Sequence, residues 1–354
     1  SANPLQVLIF RQEEDGTCRL MEVIQSNGSA FEQVEYVQMD NAPGYELVVG
    51  RQLSDQVLRS VSVYSFSSGS AEQLMMVGYS KFITCDLNDD GCSELMVILP
   101  GESETGTGSA VLYRMQDGNI ERSVEVNVSE DATHIRRITV GRLLGGTPAV
   151  FVASAVNNSA IVTDVFAWRN DRFSNISYSR DSDTSVQTLR NYYVYAEDID
   201  GDGVMELPSL ITMKRVFPEQ EGKQKFLIRW FAMDLEGREM DKLFTFHNYL
   251  GGWYMQLASS WAPRVSVEQE GGKYTFYVWD EDYRQALDVF SIYVLTGGSR
   301  EEDATVDGRF AFYRAEGVVY AAKLEANAAE FGITENQLIN NFHLIQQDWK
   351  TGET

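Results

Sequence analysis

Two nine-residue segments are the most informative part of this chain: Asp86-Leu-Asn88-Asp-Asp90-Gly91-Cys-Ser-Glu94 and Asp198-Ile-Asp200-Gly-Asp202-Gly203-Val-Met-Glu206. Both follow the pattern D-x-[DN]-x-D-G-x-x-E. Oxygen-bearing side chains at positions 1, 3, 5 and 9 suit a hard cation such as calcium. The glycine at position 6 lets the backbone turn sharply with a positive φ. Each segment is therefore predicted to be a calcium-binding loop.

The residues after each loop exclude an EF-hand. An EF-hand loop needs a glutamate at position 12, whereas that position holds Val97 in the first segment and Ser209 in the second. The run Leu95-Met-Val-Ile-Leu99 then has the composition of a buried strand rather than of a helix. The sequence thus favours strand–loop–strand elements. A solvated acidic hairpin turn without metal is the alternative.

The two loops belong to an internal repeat. Degraded copies begin at Gln38 and Gly141, so that loops recur at spacings of 48 to 57 residues. The copy at 141 has no carboxylate and is expected to bind no metal. The copy at 38 keeps Asp40 and Glu46 but has Pro43 in place of the loop glycine, and no metal is predicted there either.

After each loop the sequence predicts the same order of short strands and turns. One strand ends in an aromatic residue, a polar turn follows, and a further strand leads to the next loop. The turns are Ser68-Gly69, Asp117-Gly118, Asn170-Asp171 and Glu236-Gly237. Four strands per repeat of this length are typical of propeller blades. We therefore predict a mainly β fold, namely a β-propeller of about four to five blades with calcium-binding loops.

The strand pattern changes near residue 250, which predicts two domains. Residues 1–250 would form the propeller, and residues 251–354 a small C-terminal α+β domain. An N-terminal hairpin is predicted from Leu5–Phe10 and Arg19–Ile24. Its partner strands would either lie upstream or come from the C-terminal segment, which would then close the ring.

One helix is predicted in the C-terminal segment. Thr334-Glu-Asn-Gln337 has the pattern of a capping box. Apolar residues then recur at helical spacing as far as Phe342 and Ile345.

Composition narrows the classes of partner. The formal net charge is −23, which repels nucleic acids and anionic membrane surfaces. The 3 cysteines argue against a disulfide framework and a zinc cluster. Cys85 and Cys92 flank the first loop, and the sequence leaves open whether they pair. No run of residues approaches the roughly 18 apolar residues of a membrane-spanning helix.

No catalytic motif stands out in the sequence. The three histidines, His134, His247 and His343, lack the spacing of a zinc hydrolase site, and no G-x-S-x-G motif occurs. Aromatic residues cluster over residues 244–261, where they would serve as a sugar-stacking platform or as packing. Packing is favoured because aromatic side chains dominate cores by buried area.

The loops and the hydrophobic strands that follow them resemble the FG-GAP and VCBS calcium-loop repeats. Those repeats build integrin-α-type propellers and many bacterial surface proteins. Three segments are also similar to an uncharacterised family of Firmicutes surface lipoproteins: Tyr45-Glu-Leu-Val-Val-Gly50, Asp198–Pro208 and the ending Gly332-Ile-Thr-Glu335…Phe342-His-Leu-Ile345. That family implies an exported, lipid-anchored protein and supplies no activity.

The resemblance to the calcium-loop repeats implies a ligand set for each loop. The implied ligands are Asp86, Asn88, Asp90, Glu94 and the backbone carbonyl of Cys92, and Asp198, Asp200, Asp202, Glu206 and the backbone carbonyl of Val204.

These features predict a calcium-stabilised extracellular or cell-surface protein that holds about two calcium ions. It would bind a surface protein or a glycan without catalysis, would bind no nucleic acid, and would contact a membrane only through an N-terminal lipid anchor outside this chain. The alternative is a polysaccharide-active hydrolase or lyase on the same scaffold, since a fold does not by itself specify a function. An acidic cleft with two carboxylates not used by calcium would favour the enzyme. A shallow face with exposed aromatic residues would favour binding.

Overall fold

The computed structural model describes residues 5–26, 28–53, 59–101, 107–130, 132–157, 160–218, 224–346 and 349. These residues form six antiparallel β-sheets and only short helices, which confirms the predicted mainly β class. By contact density the chain forms two compact units. The first comprises residues 1–192 with 234–237, and the second comprises residues 193–233 with 238–354.

The first unit contains a hairpin and three further sheets, each formed by strands that follow one another in the chain. Their strands are β1 (Leu5–Gln12) and β2 (Cys18–Ser26); β3 (Ala30–Val37), β4 (Glu46–Gln52), β5 (Arg59–Ser65) and β6 (Glu72–Gly78); β7 (Lys81–Cys85), β8 (Glu94–Pro100), β9 (Thr107–Gln116), β10 (Asn119–Arg122) and β11 (Val126–Asn127); and β12 (Ala132–Arg142), β13 (Pro148–Val156), β14 (Ala160–Arg169) and β15 (Arg172–Asn175). A single 3₁₀ turn at Val186–Thr188 follows within the described part of this unit. The predicted N-terminal hairpin is confirmed.

The second unit contains two five-stranded sheets. The first has the order β16 (Glu206–Thr212), β17 (Phe226–Met233), β18 (Glu239–Asn248) and β19 (Trp253–Leu257), and the second contains β20 (Val265–Glu270), β21 (Lys273–Trp279), β22 (Ala286–Thr296), β23 (Phe310–Ala315) and β24 (Val318–Leu324). The last strand, β25 (Phe342–Leu344), returns to pair with β19. Helical segments are α1 (Arg300–Asp303), α2 (Glu335–Asn340) and 3₁₀ turns at Ala262–Arg264 and Ala328–Phe331.

Alternation along the central strands explains how the sheets of the first unit pack. Leu95 and Val97 of β8 join the core shared with β4 and β5, whereas Met96 and Ile98 join the core shared with β13 and β14. All four side chains are fully buried. Successive residues of a strand point to opposite faces, so β8 is covered on both sides and its apolar run is unbroken. Each such burial contributes about 1.5–3 kcal/mol to the free energy of unfolding.

The predicted polar turns lie where the sequence places them. Gly69, Gly118 and Gly237 have positive φ values of 85°, 75° and 79°. Asn170 and Asp171 have φ values of 49° and 57°, a left-handed conformation that these residue types adopt more readily than others do. Such tight turns bring consecutive strands into antiparallel pairs.

The compact units do not coincide with the expected division at residue 250. Strand β19 lies beyond that residue and extends the sheet formed by β16, β17 and β18. Its five backbone pairs with β18, from Phe244–Leu257 to Asn248–Trp253, make the segment part of the earlier sheet. The C-terminal segment thus contributes strands to that sheet, while closure of a ring stays a prediction.

The C-terminal helix is shorter than predicted. The capping box is confirmed, because Thr334 accepts a hydrogen bond from the Gln337 amide and the Gln337 side chain accepts one from the Thr334 amide. The helix ends at Asn340, and its predicted continuation to Ile345 is wrong. Phe342 instead pairs with Met255 as part of β25, because a six-residue helix contributes less than an added strand on an open sheet edge.

Most of the aromatic cluster predicted near residues 244–261 belongs to the core. The buried members are Phe244, Phe246, Trp253, Tyr254 and Trp261. All but Tyr254 join one core that also includes Phe276 and Phe290 of the following sheet. The packing interpretation is therefore confirmed for these residues.

The three cysteines are free thiols, and Cys85 and Cys92 are buried. Among the described residues no helix is long and apolar enough to cross a membrane.

His247 of β18 lies among aromatic rings. Its ring centroid is 4.9 Å from that of Tyr254 and 5.5 Å from that of Trp349. Part of the residue reaches the surface, but both ring nitrogens are buried without a hydrogen-bond partner among the described residues. Burial lowers the pKa of His247 to about 3, because the charged imidazolium would lose its hydration there.

We expect His247 to make folding sensitive to acid. Between pH 6.5 and about 3 the unfolded chain binds a proton that the folded chain excludes, so the free energy of unfolding falls as pH falls through this range. The slope reaches about 1.4 kcal/mol per pH unit. Denaturant unfolding of wild type and His247→Phe, measured from pH 7 to pH 4, should show a shallower loss in the variant. Parallel pH profiles would contradict this assignment.

Candidate functional site

Each predicted calcium loop leads directly into a buried strand, but the predicted strand–loop–strand element is complete only in the first, because an isolated bridge at Glu197 precedes the second. The first joins β7 to β8, and Cys85 pairs with Glu94 at its base. At the base of the second loop, Glu197 and Glu206 exchange two backbone hydrogen bonds of 3.1 and 2.9 Å. The position-9 glutamate is therefore the first residue of a buried strand in both loops. This register ties the loop to the core.

Carboxylates at position 1 cap the turn of each loop. In the first loop, Asp86 accepts hydrogen bonds from the amides of Asp90 (3.2 Å) and Gly91 (2.8 Å). In the second loop, Asp198 accepts the corresponding bonds from Asp202 (3.0 Å) and Gly203 (2.9 Å). Both glycines have a φ of 87°, so the predicted role of position 6 is confirmed. The backbone holds both carboxylates in the same orientation.

The position-9 glutamates are buried. Glu94 is 3% exposed and accepts a 2.8 Å bond from the Leu87 amide. Glu206 is 0% exposed and accepts a 3.1 Å bond from the Ile199 amide. Loss of hydration raises the pKa of each to about 7. Glu206 Oε1 is buried and has no hydrogen-bond partner among the described residues, although such atoms are ordinarily satisfied.

Three side chains of the second loop are placed so that they could hold a metal ion. Single carboxylate oxygens of Asp198, Asp200 and Glu206 lie within 4.8 Å of one another. Calcium takes 6–8 oxygen ligands, including carboxylates, amide oxygens and backbone carbonyls. It would satisfy Glu206 Oε1 and offset the repulsion among the acids. The roles of the Cys92 and Val204 carbonyls stay predictions.

The two degraded repeats keep part of the structure of the full loops but lack their full set of oxygen-bearing side chains. In the first, Glu46 is buried and accepts a 3.1 Å bond from the Met39 amide, as Glu94 and Glu206 do from position 2. The loop therefore keeps its connection to the core while lacking the full set of oxygens. In the repeat at 141, β12 continues to Arg142 and pairs with Pro148, which leaves a tight turn at residues 143–147.

Two basic side chains beside the loops were not foreseen from the sequence. Arg142 forms two hydrogen bonds with Asp89, of 3.1 and 3.0 Å. The Lys242 ammonium donates to Asp202 and lies 3.4 Å from Asp200 Oδ2. Arg142 lies 53 residues from its partner and Lys242 40 residues. Strand pairing within one sheet brings Lys242 to its loop, and Arg142 reaches the first loop from a different sheet. No local pattern could therefore have indicated either residue.

A second candidate site is a groove in the first unit with a volume of about 420 Å³. It lies beside the hairpins β9–β10 and β14–β15. The lining residues are Leu112, Arg114, Glu121, Arg122, Ser123, Val124, Trp168, Asp171, Arg172 and Phe173. None of these was predicted as a site residue, because their chemistry is distributed over two separate sheets.

Some of the charged side chains of the groove form ion pairs and others do not. Arg114 forms a 2.9 Å ion pair with Glu121, and its guanidinium carbon lies 5.5 Å from the centroid of the Trp168 ring. Arg122 pairs with Glu125 at 2.5 Å. Neither Arg172 nor Asp171 has an ion-pair partner among the described residues. The groove thus combines a partly exposed indole with a guanidinium available to a ligand.

Comparisons with known proteins identify no family. No protein-family model matches the chain, and no curated protein is similar to it in sequence. The solved structures that are similar over most of the chain include the following three. They are an exotype rhamnogalacturonan lyase, YesX (TM-score 0.35, 11% identity, covering 81% of this chain and 68% of that one), the Bacillus licheniformis rhamnogalacturonan lyase PL11 (0.36, 11%, 89% and 69%), and MPT-4, a mannose phosphorylase from Leishmania mexicana (0.29, 9%, 92% and 87%). All three TM-scores lie below 0.5, so none supports an argument about this chain.

Calcium titration provides the direct test of the two loops. We expect about two sites by calorimetry on the chelated protein. Asp90→Asn should remove one site and Asp202→Asn the other. Each substitution removes the charge but keeps the oxygen that accepts a hydrogen bond from the amide of Cys92 or of Val204. At calcium concentrations of about 100 times the dissociation constant, each site should stabilise the fold by about 2.7 kcal/mol.

Asp89→Asn is the matched control, because Asp89 stands in the first loop at position 4 and pairs with Arg142 instead. It should leave both sites in place. Absence of calcium-dependent heat and of any shift in melting temperature in the wild type would rule out both loops as calcium sites.

Proposed function

We propose that this chain is a calcium-stabilised β-propeller protein of the cell exterior whose groove binds a carboxylate-bearing saccharide. The propeller is supported by sheets of four or five antiparallel strands that recur along the chain and, in the first unit, share cores with their neighbours. The ligand is supported by one observation, the groove with Trp168 and three arginines in a chain of net charge −23.

The chemistry of the groove suits an acidic sugar. The apolar C–H face of a sugar ring packs on an indole, and an arginine binds a carboxylate through two parallel hydrogen bonds. A neutral sugar would leave Arg172 without a counter-charge, whereas a uronate-type sugar would supply one. The volume of about 420 Å³ lies within the roughly 300–1,000 Å³ that is common for small-ligand sites.

Calcium would order the loops rather than act on the ligand. No predicted ligand of either loop is among the residues that line the groove. In this proposal calcium also accounts for the location, because calcium modules outside cells operate at about 10⁻⁴–10⁻³ M calcium. Chelation, well below the melting temperature, should therefore leave saccharide affinity unchanged.

Substitutions in the β14–β15 hairpin test the ligand. Trp168→Ala and Arg172→Ala should each weaken binding of oligogalacturonate by about tenfold or more, a loss of roughly 1.4 kcal/mol. Arg169→Ala is the matched control, since Arg169 pairs with Arg172 across the same turn but does not line the groove. Calorimetry with oligogalacturonate and with an uncharged oligosaccharide of equal length measures both effects. Equal affinity for the two sugars would overturn the choice of an acidic ligand.

A polysaccharide-cleaving enzyme is the second candidate, and one observation favours it. Glu121 and Asp171 both line the groove and neither is a calcium ligand. Glu121 is paired with Arg114, which leaves Asp171 as the more available acid or base. Asp171→Asn suits the left-handed backbone at this position (φ 57°). Sustained release of shorter products by the wild type, abolished in this variant, would establish the enzyme. Binding without product would support the binding module.

A further inference from the structure

A lysine from a distant strand enters the second loop. The Lys242 ammonium donates a hydrogen bond to Asp202 and lies 3.4 Å from Asp200 Oδ2 and 3.9 Å from Glu206 Oε1. Its side chain is only 14% exposed. The ammonium therefore contacts three of the four side chains predicted to bind calcium there. It still leaves Glu206 Oε1 without a hydrogen bond.

A β-bulge gives Lys242 this direction. Trp230 pairs with Leu243 and Phe231 pairs with Asp241, so Lys242 is the extra residue between two regular pairs. A bulge re-aims the side chain of its extra residue. The acidic neighbours of Lys242 on the strand are held elsewhere, because Arg229 pairs with Glu239 at 2.7 Å and with Asp241 at 2.5 Å. The Lys242 ammonium therefore pairs with carboxylates of the loop and not with Glu239 or Asp241.

The first loop lacks both the extra acid and the lysine. Position 3 is Asn88 in the first loop and Asp200 in the second. Within the described part of the chain, no basic side chain lies at ion-pair distance from Asp86, Asp90 or Glu94. Among the predicted ligand side chains, the second loop has four carboxylates and the first has three, and Lys242 offsets this difference. The fourth acid of the first loop, Asp89, pairs with Arg142 instead. The two loops have the same backbone hydrogen bonds, but only in the second does a basic side chain contact the predicted calcium ligands within the described part of the chain.

We propose that Lys242 is a built-in counter-cation that competes with calcium for the loop at residues 198–206. This inference rests on the calcium binding proposed above. A calcium ion held by Asp200, Asp202 and Glu206 would repel an ammonium at the same oxygens, so the lysine must withdraw when calcium binds. Calcium binding must therefore first break the ion pairs of Lys242. The first loop fills at low calcium and the second only at higher calcium, while Lys242 keeps the second loop ordered between these concentrations.

The test isolates the second loop with Asp90→Asn. On that background, Lys242→Met removes the charge and keeps much of the aliphatic stem. We expect its calcium affinity to rise by about tenfold or more relative to D90N alone. Lys242→Arg should not raise it, because the positive charge stays. Lys323→Met is the matched control, since Lys323 lies in the same unit and pairs with Glu325 at 3.2 Å, and it should leave the affinity unchanged.

The outcomes separate this inference from the proposed calcium function. Normal calcium uptake by D202N, together with unchanged or weaker uptake by D90N/K242M, would overturn the competition and leave the calcium function standing. No uptake by the wild type would overturn both. Lys242→Met should also lower the melting temperature of the chelated protein more than Lys323→Met does. If D90N/K242M does not fold, D90N/K242Q supplies the affinity comparison, with the same expected rise and the same contradicting result.

Discussion

Burial of the central strands on both faces is the constraint on which this structure depends. In β8 the side chains of residues 95–98 alternate between two different cores, and all four are fully buried. A strand of this kind is stable only when a sheet covers each of its faces. In the first unit each sheet is built from consecutive strands, so neighbouring sheets are also neighbours in the chain. The two full loops then lie at similar positions, each directly before a buried strand.

The position-9 glutamate links each loop to that packing. Glu46, Glu94 and Glu206 all begin a buried strand, and each accepts a hydrogen bond from the amide at position 2 of its loop. A buried carboxylate is costly unless it is paired, protonated or bound to a cation. The two full loops surround this carboxylate with further oxygens, while the copy at residue 38 retains the amide contact with fewer of them. The same buried residue thus serves structure in one repeat and a candidate metal site in two.

The two full loops have similar backbone conformations but different charged neighbours. The two full loops share their amide–carboxylate contacts and the φ of their position-6 glycines. They differ in the side chains that reach them from other strands, Arg142 beside the first and Lys242 within the second. The ion pair of Arg142 with Asp89 is exposed, so water screens it and it contributes little to stability. Lys242 is largely buried and faces several carboxylates, so its influence on the loop is greater.

The features that depend on local residue patterns could be predicted from the sequence. Period-two alternation, Gly and Asx turns and the D-x-[DN]-x-D-G-x-x-E loops act within a few residues, and the strands, turns and loop conformations follow from them. Tertiary structure decided the rest. Phe342 belongs to a strand and not to the predicted helix, because the edge of β19 provides backbone hydrogen-bond partners. Lys242 forms a hydrogen bond with Asp202, which lies 40 residues away in the chain. Arg114 contacts the ring of Trp168, which belongs to a different sheet. Such contacts depend on strand register and on the order in which sheets pack, and no spacing within a single segment encodes either.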